Sequence, residues 1–280
     1  MDSGELLTVG VLTPHAAPGP EVEMPDMAPG RVRVEVARIG NAASRPSGNA
    51  GSTSADGLPT RSGAAVLDEA APALLPAVDV LAFASTGSGY ALGYDEELAL
   101  VKRLRDRWEV PVCATSLSAV SALRSRHVKR ISLVHPPWFG RSLNEVGAAY
   151  FRSQGFEVVD ARLADLPDHP SQIEPAMVAE WVAQHLCHRA EAVFIGGNGF
   201  RAARAVHHLE SRTGRLVLEA NQVLLWSVLE STGAPIAVRG FGMLFDDRRP
   251  DRNKDKGETG HARRHSVHVD VAGRFRRQRP

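Results

Sequence analysis

The chain has 280 residues, 43% of them hydrophobic and 23% charged, with a formal net charge of +1, an ordinary globular composition. That balance gives no reason to invoke nucleic acid or a membrane surface, and no apolar run approaches the roughly 20 residues that span a bilayer. The opening, MDSGELLTVGVLTP, is acidic and then at once strand-like, which does not fit a signal peptide. Cys113 and Cys187 lie far apart in no metal or redox spacing, so the expectation is a cytoplasmic protein without structural disulfides.

Residues 6–12 (LLTVGVL) form an apolar run rich in β-formers, ended by Thr13, Pro14 and His15. Pro18, Gly19, Pro20 and Pro25 keep the next stretch irregular or only briefly helical. Residues 31–39 (RVRVEVARI) alternate strictly, which predicts a half-exposed strand. From 40 to 61 the composition turns to Gly, Ser, Asn, Pro and Thr: a loop, either a plain surface connection or an active-site lid. Residues 66–75 read as a helix, and 78–84 (VDVLAFA) as a buried strand that runs into Ser85, Thr86, Gly87, Ser88, Gly89 and Tyr90.

An amphipathic helix follows over 95–108, then a short strand at 111–113 and a helix to about 126. Residues 130–134 (RISLV) predict a strand ending in His135, Pro136, Pro137, Trp138 and Phe139. A helix over 142–154 is closed by Gly155, a natural C-cap. A strand at 156–161 and a helix at 175–188 lead to the apolar run at 193–195. Gly196, Gly197, Asn198 and Gly199 break that strand, and Ala203, Val206 and Leu209 then recur at helical spacing. The last strand, 216–218, ends at Glu219 and Asn221, and 223–231 is the last helix. Residues 246–280 carry eleven Lys or Arg against six acids and little apolar content, which predicts a solvated, disordered basic tail.

This β–loop–α rhythm predicts an α/β fold with parallel sheets and right-handed crossovers. Two Rossmann-like lobes facing each other across a cleft fit the spacing better than one continuous sheet. The first lobe spans 1–114, completed by about 221–245, and the second spans 115–220. In such folds ligands sit beyond the carboxyl ends of strands, where unpaired amides attract anions. Four strand ends carry suitable polar groups: Thr13, Pro14 and His15; Ser85, Thr86, Gly87 and Ser88; His135 and Trp138; Gly197, Asn198 and Gly199. Each has a plainer reading as a helix cap, loop residue or core aromatic.

The stretches VGVLTP, VDVLAFASTGS, VPVCATSLSAVSALR, RISLVHPPWF, GFEVVDAR, AVFIGGNGFR and LVLEANQVLLW together resemble the aspartate/glutamate racemase superfamily, in its maleate cis–trans isomerase and arylmalonate decarboxylase branch. The resemblance implies two Rossmann-like parallel-sheet halves related by a pseudo-twofold axis, with the active site in the cleft between them. It also implies a small carboxylate substrate, an enolate or enediolate intermediate, no cofactor and no metal. Dimers are common among such relatives, although no residue pattern here marks a dimer surface.

The resemblance places the superfamily's first cysteine at Ser85, or with a one-residue shift at Ala84 or Thr86, and the second at Gly197, so neither thiol is present. A thiol near pKa 8.5 is a few per cent thiolate at neutral pH, whereas a serine hydroxyl has essentially no alkoxide without an adjacent base. Two-base racemisation through cysteines is therefore excluded. What remains is a carboxylate cradle of hydroxyls and amides, with His135, or else His15, as the acid/base near pH 7. Ser85 and His135 are thus the expected catalytic residues. Thr13, Pro14, His15, Thr86, Gly87, Ser88, Trp138, Gly197, Asn198 and Gly199 are the expected substrate-binding residues. Two other readings stay open. One is an inactive carboxylate-binding protein. The other is nucleotide binding, because GNGFRA satisfies G-x-G-x-x-A and Glu219 stands where a ribose-binding acid would.

Overall fold

A computed structural model of the chain describes residues 6–39 and 63–248. The loop expected at 40–61 and all but the start of the basic tail lie outside the described residues. Eight strands make two four-stranded parallel sheets. The first holds β1 (Leu7–Thr13), β2 (Val32–Arg38), β3 (Val80–Phe83) and β4 (Val112–Ala114) in the order β2-β1-β3-β4. The second holds β5 (Arg130–His135), β6 (Glu157–Leu163), β7 (Ala192–Ile195) and β8 (Leu216–Glu219) in the order β6-β5-β7-β8. The two sheets thus share one strand order. β3 and β7 are each four buried residues, VLAF and AVFI, the composition of a strand covered on both faces. The edge strand β2 alternates instead and leaves Arg33, Glu35 and Arg38 exposed.

Parallel neighbours cannot be joined by tight hairpins, so helices carry the crossovers. They are α1 (Pro20–Met27), α2 (Gly63–Ala70), α3 (Thr86–Leu92), α4 (Tyr94–Trp108), α5 (Thr115–Ser125), α6 (Gly140–Ser153), α7 (Pro175–His185), α8 (Ala203–Thr213) and α9 (Ala220–Thr232). Two of them bear on the sequence reading: α1 is the brief helix allowed after Gly19, and α3 was not expected. In α1 a proline opens the helix, where its missing N–H costs nothing, and burial of Met24 and Met27 holds the segment despite Pro25. α3 forms over the glycine- and hydroxyl-rich stretch that follows β3. Ser85 caps it, and Gly89 lets it press against its neighbours: a Cβ there would lie 2.5 Å from both Glu97 Oε1 and Ser116 Oγ.

Two helices tie the halves together. α9 follows the second sheet in the chain, yet its Leu224, Leu225 and Val228 pack with Val9, Val11, Val80 and Ala82 of the first. α5 follows the first sheet, yet its Ala119, Val120 and Leu123 pack with Ile131 and Leu133 of the second. Each fully buried leucine or valine in this crossed pair contributes about 1.5–3 kcal/mol, so separating the lobes would expose several such side chains at once. Among the described residues no helix is long and apolar enough to cross a membrane.

Candidate active site between the lobes

The ends of β3 and β7 meet. Thr86 N–H donates to Asn198 Oδ1 at 3.1 Å, and Thr86 Oγ1 donates to the same oxygen at 3.2 Å. In return Gly197 N–H donates to Thr86 Oγ1 at 3.0 Å. The other side of the Asn198 amide donates to Thr115 Oγ1 at 3.1 Å and to Asn221 Oδ1 at 2.9 Å. A backbone N–H is an obligate donor, so the contact with Thr86 fixes which way this amide points. Both N–H groups of the Asn198 amide are in use, and its oxygen faces the two Thr86 donors with Thr115 Oγ1 at 3.3 Å, although the side chain is fully buried.

The sequence leads one to expect the Thr86 hydroxyl, the Gly197 amide and the Asn198 side chain to face a ligand; here they are bonded to one another. Among the described residues no acceptor is seen for the amides of Gly87, Asn198 and Gly199. Gly199 borders open space, since a Cβ placed there meets nothing within 4 Å. Gly197 has φ +94°, and a Cβ on it would lie 2.9 Å from Pro136, so the backbone itself demands glycine at this position.

Ser85 Oγ accepts from Ser88 N–H at 3.2 Å and donates to Ser88 Oγ at 2.7 Å. Thr13 Oγ1 donates to Ala84 O at 2.9 Å, pinning the end of β1 to the end of β3, and accepts from His15 N–H at 3.3 Å. Pro14 is exposed and His15 half-buried. Burial, with the charge of Arg38 second, lowers the His15 pKa to about 4. The His15 Nε2 is buried with no partner among the described residues. Trp138 packs edge-on against Phe200, ring centroids 5.8 Å apart.

His135 differs from the expectation of a free acid/base. It is fully buried, stacked on Phe139 with centroids 5.3 Å apart. A Cβ on Gly196 would come within 2.7 Å of its Cδ2. Asn144 Nδ2 donates to Ala161 O at 3.1 Å, so Asn144 turns its oxygen to His135 Nδ1, 2.8 Å away. His135 Nδ1 is therefore the protonated nitrogen, and Nε2 accepts from Tyr90 O–H at 3.0 Å. Burial lowers its pKa to about 4. Among the described residues no hydrogen bond joins it to Ser85. The imidazole is neutral near pH 7 and bridges β5, α3 and α6, with no nitrogen left over for a substrate.

Three buried carboxyls were not singled out as a group from the sequence. Glu97 of α4 accepts from Tyr150 O–H of α6 at 2.6 Å, and burial raises its pKa to about 8. Its signal was an acid in the apolar stripe with Leu100 and Leu104. Glu219 caps α9 through a capping box with Gln222, a pattern legible as E-x-x-Q after a strand. Glu23 of α1 accepts from Ala203 N–H at 2.9 Å and from Asn221 Nδ2 at 2.6 Å. These two acids stand against the nucleotide reading. Glu23 already occupies the first amide of α8, where a pyrophosphate would need to approach, and Glu219 is fully buried within its own cap.

The comparisons agree with this architecture. A family model described as arylmalonate decarboxylase matches residues 65–245. A maleate isomerase of Pseudomonas putida is 28% identical over 176 residues, 60% of this chain and 70% of the relative. The crystal structure of a maleate isomerase from Pseudomonas putida superposes with a TM-score of 0.75 at 21% identity, covering 87% of this chain and 100% of that one. An arylmalonate decarboxylase crystal structure gives 0.72 at 18% identity, covering 86% and 99%. A Nocardia farcinica maleate cis–trans isomerase mutant with a covalently bound succinylcysteine intermediate gives 0.73 at 21% identity, covering 87% and 99%. The family match spans most of the described chain, and the two-sheet architecture is shared: this protein belongs to the arylmalonate decarboxylase family.

Proposed function

We propose that the protein is a cofactor-independent isomerase or lyase that acts on a small carboxylic or dicarboxylic acid through an enolate or enediolate. Direct contact between the β3 and β7 ends supports this reading most strongly. It holds the amides of Gly87, Asn198 and Gly199 and the hydroxyls of Ser85 and Ser88 in a rigid frame beside the seam. Donors that need no reorganisation favour the charge that builds up on a carboxylate as its α-carbon becomes a carbanion. For a malonate, carbon dioxide would leave, its bonding pair would spread into the remaining carboxylate, and a proton would return to carbon.

Ser85 is the side chain we assign to pass that proton, drawn from water, because no thiol stands at Ser85 or Gly197. His135 holds Tyr90 and Asn144 in place rather than moving the proton itself. Incubation with substituted malonates and with maleate in heavy water, followed by proton NMR, tests the assignment. Conversion, or deuterium at the α-carbon, that is lost in Ser85→Ala supports it; full activity in that variant overturns the role of Ser85.

A second reading is a carboxylate-binding protein without turnover. The missing thiols favour it, as does Asn198 Oδ1, which takes up both donors of Thr86. In that case the same acids raise the melting temperature and emerge unchanged.

A further inference from the structure

Glu23 lies on α1, yet its two oxygens hold residues 180 and 198 positions further along the chain. Oε1 accepts from Ala203 N–H and Oε2 from Asn221 Nδ2. The second hydrogen on Asn221 Nδ2 goes to the Asn198 carbonyl oxygen at 2.8 Å, and Asn221 Oδ1 receives the Asn198 side chain. In a trans peptide the C=O and the following N–H point in opposite directions. Holding Asn198 C=O against Asn221 therefore aims Gly199 N–H away from Asn221. We propose that Glu23 is a positioning residue for the site between the lobes: as a carboxylate it orients the Asn221 amide, and through it both the Asn198 side chain and the Asn198–Gly199 peptide plane.

Only a group that accepts on both oxygens satisfies the two donors that face Glu23. A glutamine or a protonated glutamate places a donor against a donor at one of them. Glu219 is differently placed. Its Oε2 takes the N–H groups of Asn221 and Gln222, and its Oε1 is buried without a partner among the described residues. Burial pushes both carboxyls up, and Glu23 pushes Glu219 further. Two donors face Glu23, at Oε1 and Oε2, and favour its carboxylate form, whereas both donors to Glu219 fall on Oε2 alone. Arg201 on the loop before α8 favours the charge on Glu23 and Asp26 on α1 opposes it.

The role in ligand binding rests on the carboxylate reading above, but the orientation chain can be tested without it. In the full chain labelled with 15N-asparagine, the side-chain amide signals of Asn221 and Asn198 should move together as the pH falls and Glu23 takes up its proton. Glu23→Gln should displace both signals at neutral pH, although among the described residues no hydrogen bond joins Glu23 to Asn198. Movement of the Asn221 signal with Asn198 unmoved overturns the chain, and the wild-type titration decides the point even if the variant fails to fold. With malonate or maleate as probe, Glu23→Gln should weaken binding at least tenfold while Glu23→Asp retains part of it. Unchanged affinity overturns the positioning role. If the wild type binds neither acid, the carboxylate reading fails while the NMR result still judges the chain.

Discussion

Replacing Glu97 by glutamine should make the protein more stable at alkaline pH and leave it unchanged in acid. The carboxyl is fully buried; its Oε2 accepts from Tyr150 O–H, and its Oε1 has no hydrogen-bond partner among the described residues. Burial moves its pKa from the ordinary 4.5 to about 8. Between those values the folded protein keeps a proton that the unfolded chain has lost, so unfolding releases it and stability falls as pH rises through that window. Below 4.5 both states are protonated; above 8 both are ionised and the whole penalty applies. At 1.36 kcal/mol per tenfold change in proton affinity, that penalty reaches up to roughly 5 kcal/mol. Glutamine accepts the Tyr150 hydroxyl equally well and does not titrate. Urea unfolding of both proteins at pH 5, 7 and 9 should therefore show the variant gaining about 2–5 kcal/mol between the ends of the series. Parallel pH profiles, or a wild type that gains on the variant as pH rises, would refute the reasoning.

Other consequences follow from single contacts. His135→Ala leaves the Tyr90 hydroxyl and the Asn144 carbonyl buried without partners, so stability should drop by about 3–5 kcal/mol in denaturant melts. With a folded pKa near 4 against an ordinary 6.5, His135 also makes the wild type lose stability as pH falls from 6.5 to 4. The variant should lose that part of the slope, as melts at pH 4 and 7 would report. At Gly19 a Cβ would collide with the Asn198 carbonyl oxygen, which is backbone and cannot move aside. Gly19→Ala should cost about 1–3 kcal/mol and shift the Gly199 amide resonance; an unshifted resonance would show that α1 does not brace this loop. Ser85 has an extended backbone, φ −156°, so Ser85→Cys should fold with a loss near 1 kcal/mol from the weakened cap. Gly197→Cys forces φ +94° on a side chain that meets Pro136 and should melt lower than Ser85→Cys.

Much of the fold is written locally. The apolar runs of β3 and β7, the alternation of β2 and Gly155 after α6 each mark an element from a few neighbouring residues. α3 was hidden because Gly87 and Gly89 argue against helix, and what favours it there is the close approach of Glu97 and Ser116, neither adjacent in the chain. The strand-end pattern pointed to Ser85, Thr86, Gly197 and Asn198, and these do cluster. Which of them face inward depended on pairings about 110 residues apart, such as Thr86 with Asn198. His135 followed by two prolines reads as a loop histidine. Its burial is set by Asn144 and Tyr90, which only the packing of α6 against α3 brings to it.

The central claim is that the amides between the lobes hold a carboxylate, and a titration of the 15N-labelled protein with malonate and with maleate tests it most directly. The account predicts that the largest saturable shifts fall on the backbone amides of Gly87, Asn198 and Gly199, with Ser85 and Ser88 beside them. Shifts centred elsewhere, or none at millimolar acid, would contradict it.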